Sequence, residues 1–168
     1  AELPFASIPL WFGIQQAIEG VVWLSFGSTL LNTISTYAFV LFSHIFWPIF
    51  LPLALLLIES HPNRKKLLRL SLLLGSAVGL YFLYLIIAEP VTSRIIDDSI
   101  AYHSANSYPL LVMALYLIAT CGSCLFSSQR IINLFGIALF VSFVLSALFF
   151  TKTFFSVWCF FAAILSVL

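Results

Sequence analysis

The stretch Phe12-Gly13-Ile14-Gln15-Gln16-Ala17-Ile18-Glu19-Gly20-Val21-Val22-Trp23 sets two amides and a carboxylic acid inside a run apolar enough to cross a membrane. Polar groups at that depth are costly, so they usually face a protein interior or a water-filled cavity and mark a binding or relay site. On a helix, Phe12, Gln16, Glu19 and Trp23 follow at spacings of four, three and four and share one face. Glu19 precedes Phe26 by seven residues, which puts it roughly 10 Å below the outer end of its span. His44 follows Thr36 by eight residues, roughly 12 Å down the next span. Glu19 and His44 are therefore expected at one level, close enough to form a titrating pair. Gln15 and Gln16 lie about one turn deeper than Glu19.

Other polar and aromatic side chains are expected in the same outer half. Tyr81 and Tyr84 reach it from the third span, Tyr116 from the fourth, Ser142 and Ser146 from the fifth, and Trp158 from the sixth. The sequence thus predicts one pocket on which all the spans converge. The competing interpretation is structural: Glu19, His44 and the amides could tie helices together and do no chemistry. In His44-Ile45-Phe46-Trp47-Pro48, the proline removes a backbone donor and leaves carbonyls near Ser43 and His44 without their helical partners. A ligand or water could take those carbonyls, and Trp47 joins the pocket candidates on that ground. Pro52, one turn on, predicts a pronounced bend.

Metal chemistry has weak support. Glu19, His44 and His103 are possible ligands, with Asp97 and Asp98 nearby in sequence to His103, but no HExxH and no close histidine pair occurs. No cofactor is indicated. Cys121-Gly122-Ser123-Cys124 is formally a CxxC, yet it sits within an apolar run with no second pair, and small residues for close helix contact explain it better. Ser71, Gly75 and Gly79 repeat a small residue every four positions, the pattern of a tight helix–helix contact in a membrane.

The elements that must position these groups follow from composition. Of 168 residues, 62% are hydrophobic and only 8% charged, against roughly 45–50% and about 25% in soluble domains. Long continuous apolar runs predict an all-α, polytopic transmembrane helical bundle in a single domain, because lipid offers no partners for open backbone groups. Six spans are expected, at about 7–26, 36–58, 67–88, 110–128, 131–150 and 154–168, with a polar turn at 28–35 and a long loop at 89–108. The start at Ala1 and the short last span predict a chain that is incomplete at both ends; a cleaved signal peptide would explain the start, as would a further helix before residue 1, which is the expectation preferred. A net charge of +1 gives no reason to invoke nucleic acid, and three cysteines in apolar runs make no disulfide framework.

Lysine and arginine set the orientation. Arg64, Lys65, Lys66 and Arg69 flank the second loop and Arg130 lies in the fourth, whereas the opposite side has only Arg94 and Lys152. The basic side is expected in the cytoplasm, where it could touch anionic lipid, and the long loop outside.

Three blocks, LWFGIQQAIEGVVW, HIFWP and FFSVWCFFAAILS, resemble an uncharacterised bacterial multi-spanning membrane family, a domain of unknown function. Its members open with Met-Cys-Phe-Ser ahead of another apolar helix. The resemblance implies about seven spans in the intact protein and a bacterial inner membrane location, with that cysteine and serine near the same site. It implies no activity, so no role passes to Gln15, Gln16, Glu19, His44, Trp47 or Trp158.

Three functions remain open on sequence. The leading one is a small bundle whose outer-half pocket binds or passes a small molecule or proton. The second is an intramembrane hydrolase acting on a lipid-type substrate, with Glu19 or His44 as base and Ser142 or Tyr81 binding substrate. The third is an accessory subunit of a larger membrane complex, or a homo-oligomer; the 18 phenylalanines permit extensive helix contacts, but lipid accepts them as well, so they do not argue for a partner.

Overall fold

The computed structural model describes residues 3–103 and 109–167. A short helical turn, Leu3–Ala6, leads into α1 (Ile8–Leu24). Then come α2 (Thr29–Ile58), α3 (Pro62–Ala88), a hairpin of β1 (Thr92–Ile96) and β2 (Ser99–His103), α4 (Leu110–Leu125), α5 (Arg130–Phe149) and α6 (Phe154–Leu165). Three of these helices, α2, α3 and α5, are long and apolar enough to cross a membrane. The predicted residues 104–108 of the long loop and the final Leu168 lie outside the described residues.

Two expectations are corrected. The polar turn expected at 28–35 is mostly helix. Ser28 is extended and starts α2 at Thr29, and the polar side chains that argued against helix fold back on it: Thr33 Oγ1 donates to Thr29 O at 2.9 Å and Ser35 Oγ to Leu31 O at 2.8 Å. With 30 residues α2 is about 45 Å long, well beyond a hydrocarbon core of about 30 Å. Its first turns are therefore free to hold something else. What they hold is the second correction to an all-α chain, because the long loop contains a β-hairpin.

The hairpin is antiparallel, with Thr92 opposite His103 and Ile96 opposite Ser99. Asp97 and Asp98 make the turn with φ of 48° and 56°, the left-handed pair that a type I′ turn requires. An isolated two-stranded ribbon is marginal, and this one is anchored on α2. Thr36 Oγ1 donates to Ser93 Oγ at 2.9 Å, Ser93 Oγ to Asn32 Oδ1 at 3.0 Å, and the Val91 N–H to the Tyr37 hydroxyl at 3.2 Å. The Tyr102 ring stacks on Phe39 at 4.4 Å.

The middle of α2 widens into a π turn at Phe42–Phe46. The Trp47 N–H bonds Phe42 O, one residue further back than in an α-helix, and Pro48 has no N–H to give. Ser43 O is thereby released, and the Tyr116 hydroxyl on α4 donates to it at 2.6 Å. The carbonyl expected to await a ligand is thus used to bind a neighbouring helix. Tyr116→Phe leaves that buried carbonyl unpaired and should cost about 1–3 kcal/mol; a denaturation midpoint equal to wild type would contradict it.

At the end away from the hairpin, two turns are joined. Glu59 Oε1 accepts from the N–H groups of Ser60 and His61 at 2.9 and 3.0 Å and from the Ser128 hydroxyl at 2.9 Å, while Oε2 accepts from the Ser128 N–H at 2.7 Å. Arg64 Nη1 donates to Phe126 O at 3.1 Å and to Ser127 O. Asn133 Nδ2 covers Cys124 O at 2.8 Å. The carbonyls at the C-terminus of α4 are capped by side chains, which is where cations also suit the helix dipole.

Candidate functional site

Glu19 lies on the buried face of α1, 6% exposed. One helical turn before it is Gln16 and one after it Trp23. Together with Gly20 they form one wall of a partly open cavity of about 380 Å³. The hairpin turn contributes Asp98 and Ser99, and α6 contributes Ser156, Val157 and Phe160. The Tyr102 hydroxyl donates to Glu19 Oε1 at 3.3 Å, so β2 reaches across to the carboxylate. Gly20 leaves room in the wall: a Cβ built there meets nothing within 4 Å. The cavity is within the range of about 300–1,000 Å³ typical of small-ligand sites.

A second set of the predicted side chains lies in a closed interior. Phe12 stacks on Trp47 at 3.8 Å, and Trp47 Nε1 donates to Gln15 Oε1 at 2.6 Å. Trp47, Tyr116, Trp158, Thr120 and Cys159 surround a void of only about 30 Å³, room for about two waters. Trp158 Nε1 is used on Leu139 O at 3.1 Å. His44 is buried between Phe155, at 4.1 Å, and Phe82, at 5.0 Å, with Nδ1 2.7 Å from Ser43 Oγ.

The single pocket expected from six spans is therefore corrected to two regions. Of the candidates, Gln16, Glu19 and Trp23 line the open cavity. Gln15, His44, Trp47, Tyr116 and Trp158 belong to the interior. Ser142 is buried with its hydroxyl on Leu139 O at 2.8 Å, and Ser146 is buried beside it on α5. Tyr81 and Tyr84 face outward, 37% and 66% exposed. The cause is helical phase: α3 buries Ser71, Gly75, Val78, Gly79, Phe82 and Leu85, and both tyrosines fall off that stripe. His103 is exposed at the end of β2. Among the described residues no three His, Cys, Asp or Glu side chains come together.

The whole chain, residues 1–168, matches the family of unknown function DUF6629. The chain belongs to that family. No curated protein and no solved structure matches it. What a DUF6629 chain can do must therefore be argued from its own geometry.

Sequence reasoning overlooked Tyr102, Ser99 and Ser156 as parts of the site. Tyr102 carried a readable signal, since Ser99-Ile100-Ala101-Tyr102-His103 is a short β-prone run next to two aspartates. Ser156 carried none, because a serine within an apolar helix ordinarily bonds its own backbone. Tyr102→Phe in this DUF6629 chain removes the hydroxyl from Glu19 but keeps the stack on Phe39. The hairpin should stay folded, with amide exchange in β2 unchanged within about threefold, while the Glu19 carboxyl infrared band shifts; an unmoved band would contradict the contact.

Proposed function

We propose that this protein is a multi-pass membrane protein that receives a small molecule from the outer face, in the cavity beside Glu19. The observation carrying this reading is one buried carboxylate set in the wall of a partly open cavity of about 380 Å³, with hydroxyls and an amide around it. Six spans are proposed, in a bacterial inner membrane, with the hairpin outside. The joining of the 58–62 and 126–130 turns supports that topology, since it gathers Arg64, Lys65, Lys66 and Arg130 at one end.

The cavity also favours binding over the hydrolase reading. Ser142 and Tyr81, the residues assigned to substrate in that reading, do not line it. A relay from Glu19 through His44 would have to leave the cavity for the aromatic interior.

Labelling tests the proposal. Ser99→Cys and Ser156→Cys in right-side-out vesicles should react with a membrane-impermeant maleimide, against a wild-type blank whose three cysteines are buried. Adding Gly20→Leu, which extends a side chain into the open space, should slow Ser156→Cys about tenfold or more, equivalent to about 1.4 kcal/mol. Reaction only from the opposite face, or no reaction at Ser156→Cys, would sink the proposal.

A further inference from the structure

We infer that the ligand of this cavity is a cation bearing an alkylammonium group. The inference rests on the pocket reading above and names its substrate class. Two carboxylates, Glu19 and Asp98, lie on the lining, and none of the lining residues is a lysine, arginine or histidine. Glu19 is more than nine-tenths buried, so once ionised its charge is poorly screened by water and acts at close range within the site. Asp98 is exposed at the hairpin tip, at the mouth rather than the base. The two acids thus act at different depths, Asp98 attracting a cation from solution and Glu19 holding it.

The other walls suit the same chemistry. Trp23 and Phe160 offer ring faces, and ammonium groups are attracted to such faces within about 6 Å, best to tryptophan. The Ser99 and Ser156 hydroxyls can accept from N–H donors, as can the Gln16 carbonyl. An anionic ligand would meet two carboxylates and no compensating cation. A neutral one would leave the Glu19 carboxylate buried with only uncharged partners, the hydroxyls of Ser156 and Tyr102 and the Gln16 amide, to offset that burial.

The test uses the full chain in lipid nanodiscs and three probes of equal chain length: n-butylammonium, butyrate and n-butanol. Binding is read by saturation-transfer difference NMR on the probe. Butylammonium should show saturable transfer that weakens about tenfold or more in Glu19→Gln. Asp98→Asn is the second variant, because asparagine tolerates the left-handed turn and keeps the hairpin; it should slow binding and weaken it less than Glu19→Gln does. Gly20→Leu should abolish the transfer. If ethanolamine-headed lipid in the nanodisc suppresses the butylammonium signal relative to glycerol-headed lipid, the natural source of the ammonium group is a lipid headgroup. If the two lipids behave alike, it is a soluble amine.

If butyrate or butanol binds as well as butylammonium and Gly20→Leu still blocks it, the cation inference fails and the pocket reading stands. If no probe gives a Gly20-sensitive signal, the cation inference fails, and the maleimide labelling of Ser156→Cys decides the pocket separately.

Discussion

Gly75→Ala should destabilise this protein by about 1–3 kcal/mol, although alanine is the better helix former by about 0.5–1 kcal/mol. The reason is a carbonyl that α2 cannot use. Pro52 has no N–H, so it cannot bond the oxygen of Pro48 one turn earlier. α3 comes in on that oxygen at Gly75: a Cβ there would collide with Pro48 O and press on Ala119 Cβ at 3.4 Å. Without a Cβ, the Gly75 Cα–H groups can face the carbonyl, a weak but favourable contact in an apolar setting. The obstacle is backbone, not a flexible side chain, so relief requires α2 and α3 to separate. A Cβ built on Gly79, one turn on, would meet Ile49 Cδ1 at 3.2 Å and Ile45 O at 3.5 Å, where a side chain can give way. The control is Gly20→Ala, which extends into open space and should raise stability by up to about 1 kcal/mol. Denaturation in detergent of the two variants settles it. A Gly75→Ala protein more stable than wild type would mean that the helices do not meet there.

That contact shows which parts of the fold were legible in the sequence. The small-residue stripe Ser71, Gly75, Gly79 reads directly as a helix contact, and all three are buried. Its partner was not readable, because the freed carbonyl of Pro48 is defined only when two prolines and a second helix are placed together. Glu19 was legible because an acid within an apolar run needs a reason. His44 and Trp47 were expected in the pocket, but periodicity on one helix does not say whether a neighbouring helix leaves space or fills it, and α6 fills it with Phe155. Tyr81 and Tyr84 were placed by depth alone; depth fixes height along the span and leaves rotation about it undetermined. The hairpin was overlooked because Asp97-Asp98 replaces the asparagine–glycine pair that usually announces such a turn.

Glu59→Gln should lower stability at neutral pH by about 2 kcal/mol or more, and the difference from wild type should disappear in acid. Glu59 stands between α2 and α3, and a lone acid in a turn reads as ordinary solvated surface. In the structure it is buried and accepts four hydrogen bonds. Burial pushes its pKa up, but the His61 and Ser128 N–H groups, the Ser128 hydroxyl and the Ser60 N–H together outweigh burial and hold it down at about 2, from an ordinary 4.5. A pKa lower in the folded than in the unfolded state means that the unfolded chain binds the proton first as pH falls. The stabilisation is therefore complete above about pH 5, declines as pH passes below 4.5, and is gone below about 2. Every other acid is common to both proteins, so the difference between wild type and Glu59→Gln isolates this one group. The measurement is the thermal midpoint of each in detergent from pH 7 to pH 2.5. A gap that narrows with acid identifies Glu59 as the bond between the 58–62 and 126–130 turns. A gap independent of pH would mean that glutamine has merely disturbed packing, and the joining of those turns would have to be assigned to the Arg64 and Asn133 donors instead.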